Sequence, residues 1–425
     1  MAEEKKLFGM PAEKGRWMLI LLGFIINLCL GSVYAYGVFG AALQTKWGLS
    51  VLEKLLPYGI FLAFFAAVFP LSGQFLEKLG PKKQGIIGGI IVALGWILTS
   101  FTHSWPQAVL TYGVIGGIGV GLCYIGPIQV ATRWFPDKKG LTTGLTVAGF
   151  GGSPFISTYL GQILIKHYGI FDTFLYFGLA FLVVLLICFW FMVFPVAGWK
   201  PAGWQPKAAP SAATSTVNYD RNEIIKTSTF WALFACFAIG TTAGLLAVGI
   251  WPDIRALAII AIGFTSAVVQ FILAPFNAGG RPVFGFVTDK VGPRVAAMIS
   301  FVVIFLAAVL MLTMRGSTAQ TDMHKVLFFV CFAAFYAGLG GWLAIAPTAT
   351  AQYFGTKFSS RNYGILFLAY GVGAVVSTFI GGYAKSIFRG TLLDAFIPIA
   401  VLAAIGFLLA AFVLKPPKKT GAPQK

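Results

Sequence analysis

Charge is what this chain has least of. Only 10% of its 425 residues are charged, against 58% hydrophobic. Soluble domains carry roughly a quarter charged residues, so a water-soluble globule is excluded and an integral membrane protein remains. Acid is scarcer than base, 13 residues to 31, and there are only 3 His. The net charge of +18 still makes no nucleic-acid surface, because the basic residues stand in short runs between apolar segments and read as topology signals. Cys29, Cys123, Cys188, Cys236 and Cys331 are scattered singly inside apolar segments, which gives neither a disulfide framework nor metal-ligand spacing. No nucleophile–base pair stands out, so neither enzyme chemistry nor a cofactor is expected. Nothing resembles a cleaved signal peptide: the first apolar segment is about as long as a full span, and eleven more follow.

What is there is a succession of apolar segments, each with roughly the 20 residues a helix needs to cross ~30 Å. They lie at about 17–39, 56–76, 85–101, 107–131, 140–165 and 171–193, then at 230–250, 260–287, 295–314, 326–349, 362–384 and 392–414. Between the sixth and seventh runs a polar stretch, 197–228, too long for a core element and read as a mobile tether. The expected fold is therefore an all-α membrane protein of twelve transmembrane helices in two six-helix bundles, residues 1–196 and 229–425. Of the 31 Lys and Arg, 22 fall in the termini, the linker and the even-to-odd loops, and 8 in the opposite loops. The positive-inside rule then puts both termini and the linker in the cytoplasm of a multi-pass cell-membrane protein.

The two halves repeat. Gly73-Gln-Phe-Leu-Glu77-Lys-Leu-Gly80-Pro-Lys after span 2 matches Gly285-Phe-Val-Thr-Asp289-Lys-Val-Gly292-Pro-Arg after span 8, 212 residues later. A six-span duplication is a sign of a secondary transporter with its site near the midplane between the repeats. The repeat isolates one residue: Phe69-Pro70 in the first half corresponds to Arg281-Pro282 in the second. Arg281 is the one Lys or Arg inside a span. An arginine at that depth costs roughly 2.5–3.5 kcal/mol on insertion scales. It stands about 12 Å of helix from Asp289, too deep for easy snorkelling. With no carboxylate in the neighbouring apolar sequence, a bound anion is the expected partner. Asn277 lies one turn earlier on the same face and can donate to that anion or orient the guanidinium. Gln270 falls on nearly the same face further out.

The paired loops resemble the signature of the major facilitator superfamily. Arg133-Trp-Phe-Pro-Asp-Lys-Lys-Gly-Leu-Thr-Thr-Gly at the entry to span 5 is similar to the monocarboxylate transporters and the oxalate/formate antiporter group. So are Asn277-x-x-x-Arg281-Pro in span 8, Arg361-Asn-Tyr-Gly before span 11 and, more weakly, Tyr34-Ala-Tyr36 in span 1. The resemblance covers all twelve spans and is closest to a bacterial homologue of the monocarboxylate transporters. It implies a transporter of short monocarboxylates such as L-lactate or pyruvate, moved with a proton by alternating access. An anion exchanger of the oxalate/formate type is the alternative; a sensor with the same fold fits less well, since the linker and tails are short. The small anion, the proton and the bilayer are the implied partners, with no nucleic acid and no obligate protein partner.

The resemblance also implies the site. Inner spans should supply its apolar wall, with Leu28, Tyr34, Tyr124, Leu145, Tyr336, Tyr370 and Tyr383 as candidates beside Arg281 and Asn277. Tyrosine offers a ring and a hydroxyl for a 2-hydroxy or 2-keto group. Glu77, Asp289 and Arg361 are the expected gating residues, the two acids anchoring the ends of spans 11 and 5 across the bundles. The departures bear on specificity. Asn277 stands where animal monocarboxylate transporters have Asp, Val38 where they have a span 1 Lys, and Tyr370 where the antiporters have Lys. One cation suits one carboxylate. The proton route stays open between Asp253, with Arg255 as an outer gate or entry, and the substrate's own carboxylate beside Arg281.

Overall fold

The computed structural model describes residues 6–196, 198–201, 218–258, 266–315, 322–355, 357–388 and 391–417. In order come a two-residue hairpin, β1 (Lys6–Leu7) paired antiparallel with β2 (Met10–Pro11), and then helices. They are α1 (Ala12–Leu30), α2 (Tyr36–Trp47), α3 (Val51–Thr99), α4 (Trp105–Ala108), α5 (Gly117–Trp134), α6 (Lys139–Tyr168) and α7 (Ile170–Trp190). After the linker come α8 (Arg221–Ile224), α9 (Ser228–Ala258), α10 (Ser266–Thr313), α11 (Asp322–Phe354), α12 (Ser359–Leu366), α13 (Leu368–Phe388) and α14 (Phe396–Phe412). In hydrocarbon every backbone polar group must be satisfied within the chain, which is why apolar runs of this length become helices.

Nine helices among the described residues are long and apolar enough to cross a membrane. Two are too long for one crossing: α3 has 49 residues and α10 has 48. Each breaks at the last glycine of the repeated loop, Gly80 at φ 73°, ψ 166° and Gly292 at φ 82°, ψ 161°. Glycine alone adopts that backbone readily, and the proline that follows is suited to a first helical turn. The duplicated motif is thus a duplicated turn. Counting α3 and α10 as two crossings each, and adding the 30-residue α6, the described helices accommodate the twelve expected crossings.

Span 1 is not one straight helix. A 3₁₀ turn at Gly31–Ala35 separates α1 from α2. A Cβ on Gly31 would sit 2.3 Å from the Phe150 carbonyl oxygen, so only glycine lets this turn lie against α6. Span 11 is also interrupted, at Phe367 between α12 and α13.

The helices before the linker pack among themselves, α3 on α5 and α7, α1 on α6; those after it do likewise, α10 on α11 and α14, α9 on α11 and α13. Contacts between α3 and α13, α6 and α10, α2 and α9, and α3 and α12 join the groups. Of the stretch expected as a tether, residues 197 and 202–217 lie outside the described residues, and its last part is docked. Tyr219 donates its N–H to Phe354 O at 3.0 Å and accepts from Asn362 Nδ2 at 3.0 Å, docking onto spans 10 and 11.

Candidate substrate site

Arg281 sits on α10 where that helix crosses α6. It is 7% exposed, and its Nη1 donates to the Val147 carbonyl of α6 at 3.2 Å. Nε and Nη2 are buried without a partner, as are both side-chain polar atoms of Asn277, which is 1% exposed. No ion pair reaches the guanidinium among the described residues. These groups share one face of α10, as the four-residue spacing requires.

Beside them the interrupted spans 1 and 11 meet. Tyr34, in the 3₁₀ turn, and Tyr370, just past the Phe367 break, join hydroxyls at 2.7 Å across the two helix groups. Tyr34 lies within the electrostatic reach of Arg281, and so does Tyr363. Aromatic rings hold the pair in place. Phe150 stands edge-on to Tyr34 at 5.2 Å and to Tyr124 at 5.3 Å. Phe367 stacks on Tyr370 at 5.1 Å, and Phe65 touches Phe150, Phe367, Tyr124 and Tyr370. Tyr336, 1% exposed, lies within electrostatic reach of Tyr58 in the same interior.

Two expected lining residues, Leu145 and Tyr383, are exposed, and a third, Leu28, lies in a groove beside α10. Leu28 lines two apolar grooves, one of about 350 Å³ shared with Ala274, Pro275 and Ala278 of α10, around the Asn277 turn, the other of about 430 Å³ against α7. Leu145 is 43% exposed on the α6 stripe of Leu141 and Phe155, on the opposite side from Phe150. Tyr383 is 43% exposed and stacks on Phe379. The Gln270 and Arg255 side chains lie outside the described residues.

The gating expectations also change. Glu77 pairs with Arg133 of α5 within the first group rather than reaching span 11. Asp289 and Arg361 are exposed, with no ion pair among the described residues. On the same face, which carries the termini, Arg16 holds Asp137 through Nη1–Oδ1 at 2.8 Å and Nη2–Oδ2 at 3.2 Å. Burial pushes the Asp137 carboxyl upward, but hydrogen bonds from Arg16 and the backbone, with the charges of Arg16 and Lys138, together hold it below the ordinary 3.8. At the far face the arrangement differs: Asp253 of α9 pairs with Lys54 of α3, across the two groups. The Lys54 side chain is 1% exposed. Counting Lys54 among loop cations missed this, although it lies one turn from Tyr58 inside an apolar run, which was the available signal.

Residues 20–321 match the profile of the Major Facilitator Superfamily. The chain belongs to that superfamily. It is 29% identical over 405 residues to the oxalate:formate antiporter of Oxalobacter formigenes, covering 94% of this chain and 91% of that protein. With monocarboxylate transporter 4 of Rattus norvegicus it shares 26% identity over 389 residues, 88% of this chain and 78% of the other. Its backbone is similar to the crystal structure of a bacterial homologue of the human lysosomal transporter Spinster, at TM-score 0.71 and 16% identity over 93% and 97% of the two chains. That likeness speaks to the fold alone. This superfamily member is a multi-pass membrane transporter.

Proposed function

We propose that this transporter carries short monocarboxylates of lactate or pyruvate size across the cell membrane, alternating access around Arg281. The observation that carries the reading is the state of the guanidinium. Nη1 is spent on the Val147 carbonyl, which fixes the plane of the group. The unpartnered donors, Nε and Nη2, are the two that share one edge and present parallel N–H bonds. That edge is the fork a carboxylate takes bidentately. Tyr34 and Tyr370 supply hydroxyls for a 2-hydroxy or 2-keto oxygen, and Tyr370 brings no second cation for a second carboxylate.

In this reading bundles 1–196 and 229–425 rock about the site, with the termini cytoplasmic as the charge distribution suggests. The contacts expected of Glu77 and Asp289 across the bundles belong to the opposite state of the cycle. Electroneutral uptake pairs one anion with one proton, carried by Asp253 or by the substrate's own carboxylate. Exchange is the second reading. It is favoured by the 29% identity to an oxalate:formate antiporter over nearly the whole chain, and by Asn277 rather than an acid beside Arg281.

Labelled L-lactate uptake by cells expressing wild type and Arg281→Ala, with oxalate and formate as competitors, tests the site. The variant is expected to insert normally and lose uptake; near-normal uptake refutes the assignment. Counterflow in proteoliposomes without a pH gradient separates exchange from symport.

A further inference from the structure

The Lys54–Asp253 pair does more than tie two helices. Lys54 belongs to α3 and Asp253 to α9, so the pair spans the seam that must part when the far face opens. The ammonium stays with the first group. Two buried hydroxyls of that group have nothing to donate to. Tyr58, one turn along α3 on the same face, and Tyr112 are buried with hydroxyls that have no partner. Tyr36 knits them to the lysine: its hydroxyl donates to Lys54 O at 2.9 Å, and its ring lies 5.7 Å from that of Tyr58 and 5.1 Å from that of Tyr112. Tyr58 in turn lies within electrostatic reach of Tyr34, whose hydroxyl meets Tyr370 beside Arg281.

A cation and two hydroxyl donors in an aromatic wall match a carboxylate, and the Asp253 carboxylate that the cation now holds comes from the opposite group. We propose that Lys54, with Tyr58 and Tyr112, forms a separate loading site for the carboxylate of the incoming monoanion, and that Asp253 occupies it when the far face is closed. The inference rests on the monocarboxylate-carrier reading above. As the groups part, Asp253 leaves with α9 and the substrate carboxylate takes its place on the ammonium. As they close again, Asp253 reclaims Lys54 and the substrate is displaced toward the next donors, Tyr34 and Arg281. A protein carboxylate and a cargo carboxylate thus alternate on one cation.

The neutral double variant Lys54→Gln/Asp253→Asn tests this in uptake by intact cells, and it leaves no buried unpaired charge. A pair that only latches the far face holds the outward-open state down, so its removal raises that population and leaves the external KM unchanged or lower. A loading site predicts the reverse: losing a charge-assisted contact raises the external KM by about tenfold. Lys54→Arg, which keeps both charges, is expected to stay close to the wild-type KM. An unchanged or lower KM in the double variant overturns the loading site, and so does an equal rise in Lys54→Arg. If the double variant does not insert, Lys54→Gln alone carries the test, because the Asp253 side chain is 22% exposed and open to water. Arg281→Ala measured beside them keeps the two ideas apart. Uptake lost in Arg281→Ala with an unraised KM in the double variant removes the loading site and leaves the carrier reading standing.

Discussion

Replacing Gly80 by alanine isolates the backbone cost of the repeated turn. Gly80 has φ 73° and ψ 166°, and a Cβ built there meets nothing within 4 Å. Packing therefore contributes nothing to the change. The whole penalty is the conformation, a region that is essentially glycine-only and costs about 1–3 kcal/mol for other residues. Gly292, at φ 82° and ψ 161° with equally open space, should lose the same amount when changed to alanine. Gly144 is the control. Its Cβ would also meet nothing within 4 Å, but it sits inside α6 with no positive φ. Alanine there should stabilise by about 0.4–1 kcal/mol through the unfolded chain. Thermal unfolding of the purified variants in one detergent should place Gly144→Ala at or above wild type, with Gly80→Ala and Gly292→Ala together below it. Gly80→Ala melting with Gly144→Ala would refute the argument, because the two differ only in backbone angles.

Two further outcomes follow from particular contacts. Tyr34→Phe leaves the buried Tyr370 hydroxyl without its 2.7 Å partner and should cost about 1–3 kcal/mol, while Tyr34→Phe/Tyr370→Phe should cost less than the two single changes summed. Strict additivity in thermal unfolding would mean the hydroxyls do not interact. For Asp137, the folded carboxyl is held below its ordinary 3.8, so its contribution is full above that value and is lost as pH falls through the folded one. The gap in melting temperature between wild type and Asp137→Asn should accordingly narrow as pH is lowered below 3.8. A constant gap would show that the Arg16 contact does not depend on the carboxylate's charge.

The rings around Tyr34 and Tyr370 show why some of the site was legible and some was not. Arg281 announced itself, because a guanidinium in an apolar run is costly wherever the helix turns it, and the repeat showed no counterpart at Phe69. Gly80 and Gly292 were equally visible, since their spacing to Glu77 and Asp289 recurs and the conformation they adopt is intrinsic to glycine. The tyrosines and leucines carried no such mark. In water, a helix shows its buried face by alternating with a polar one. In a bilayer both the lipid and the neighbouring helix are apolar, so rotation about the axis leaves little trace in composition. The outward azimuths of Leu145 and Tyr383 could therefore not be read from composition.

By itself the sequence determined the all-helical membrane class, the duplicated turn and the deep Arg281. Those follow from local chemistry: length, hydropathy, backbone freedom and charge. Only the tertiary structure decided that Tyr34 meets Tyr370, that Val147 takes one arm of Arg281, and that Lys54 holds Asp253. Each of those contacts joins residues more than a hundred positions apart, at crossings set by how the two helix groups pack and not by any segment's own preference.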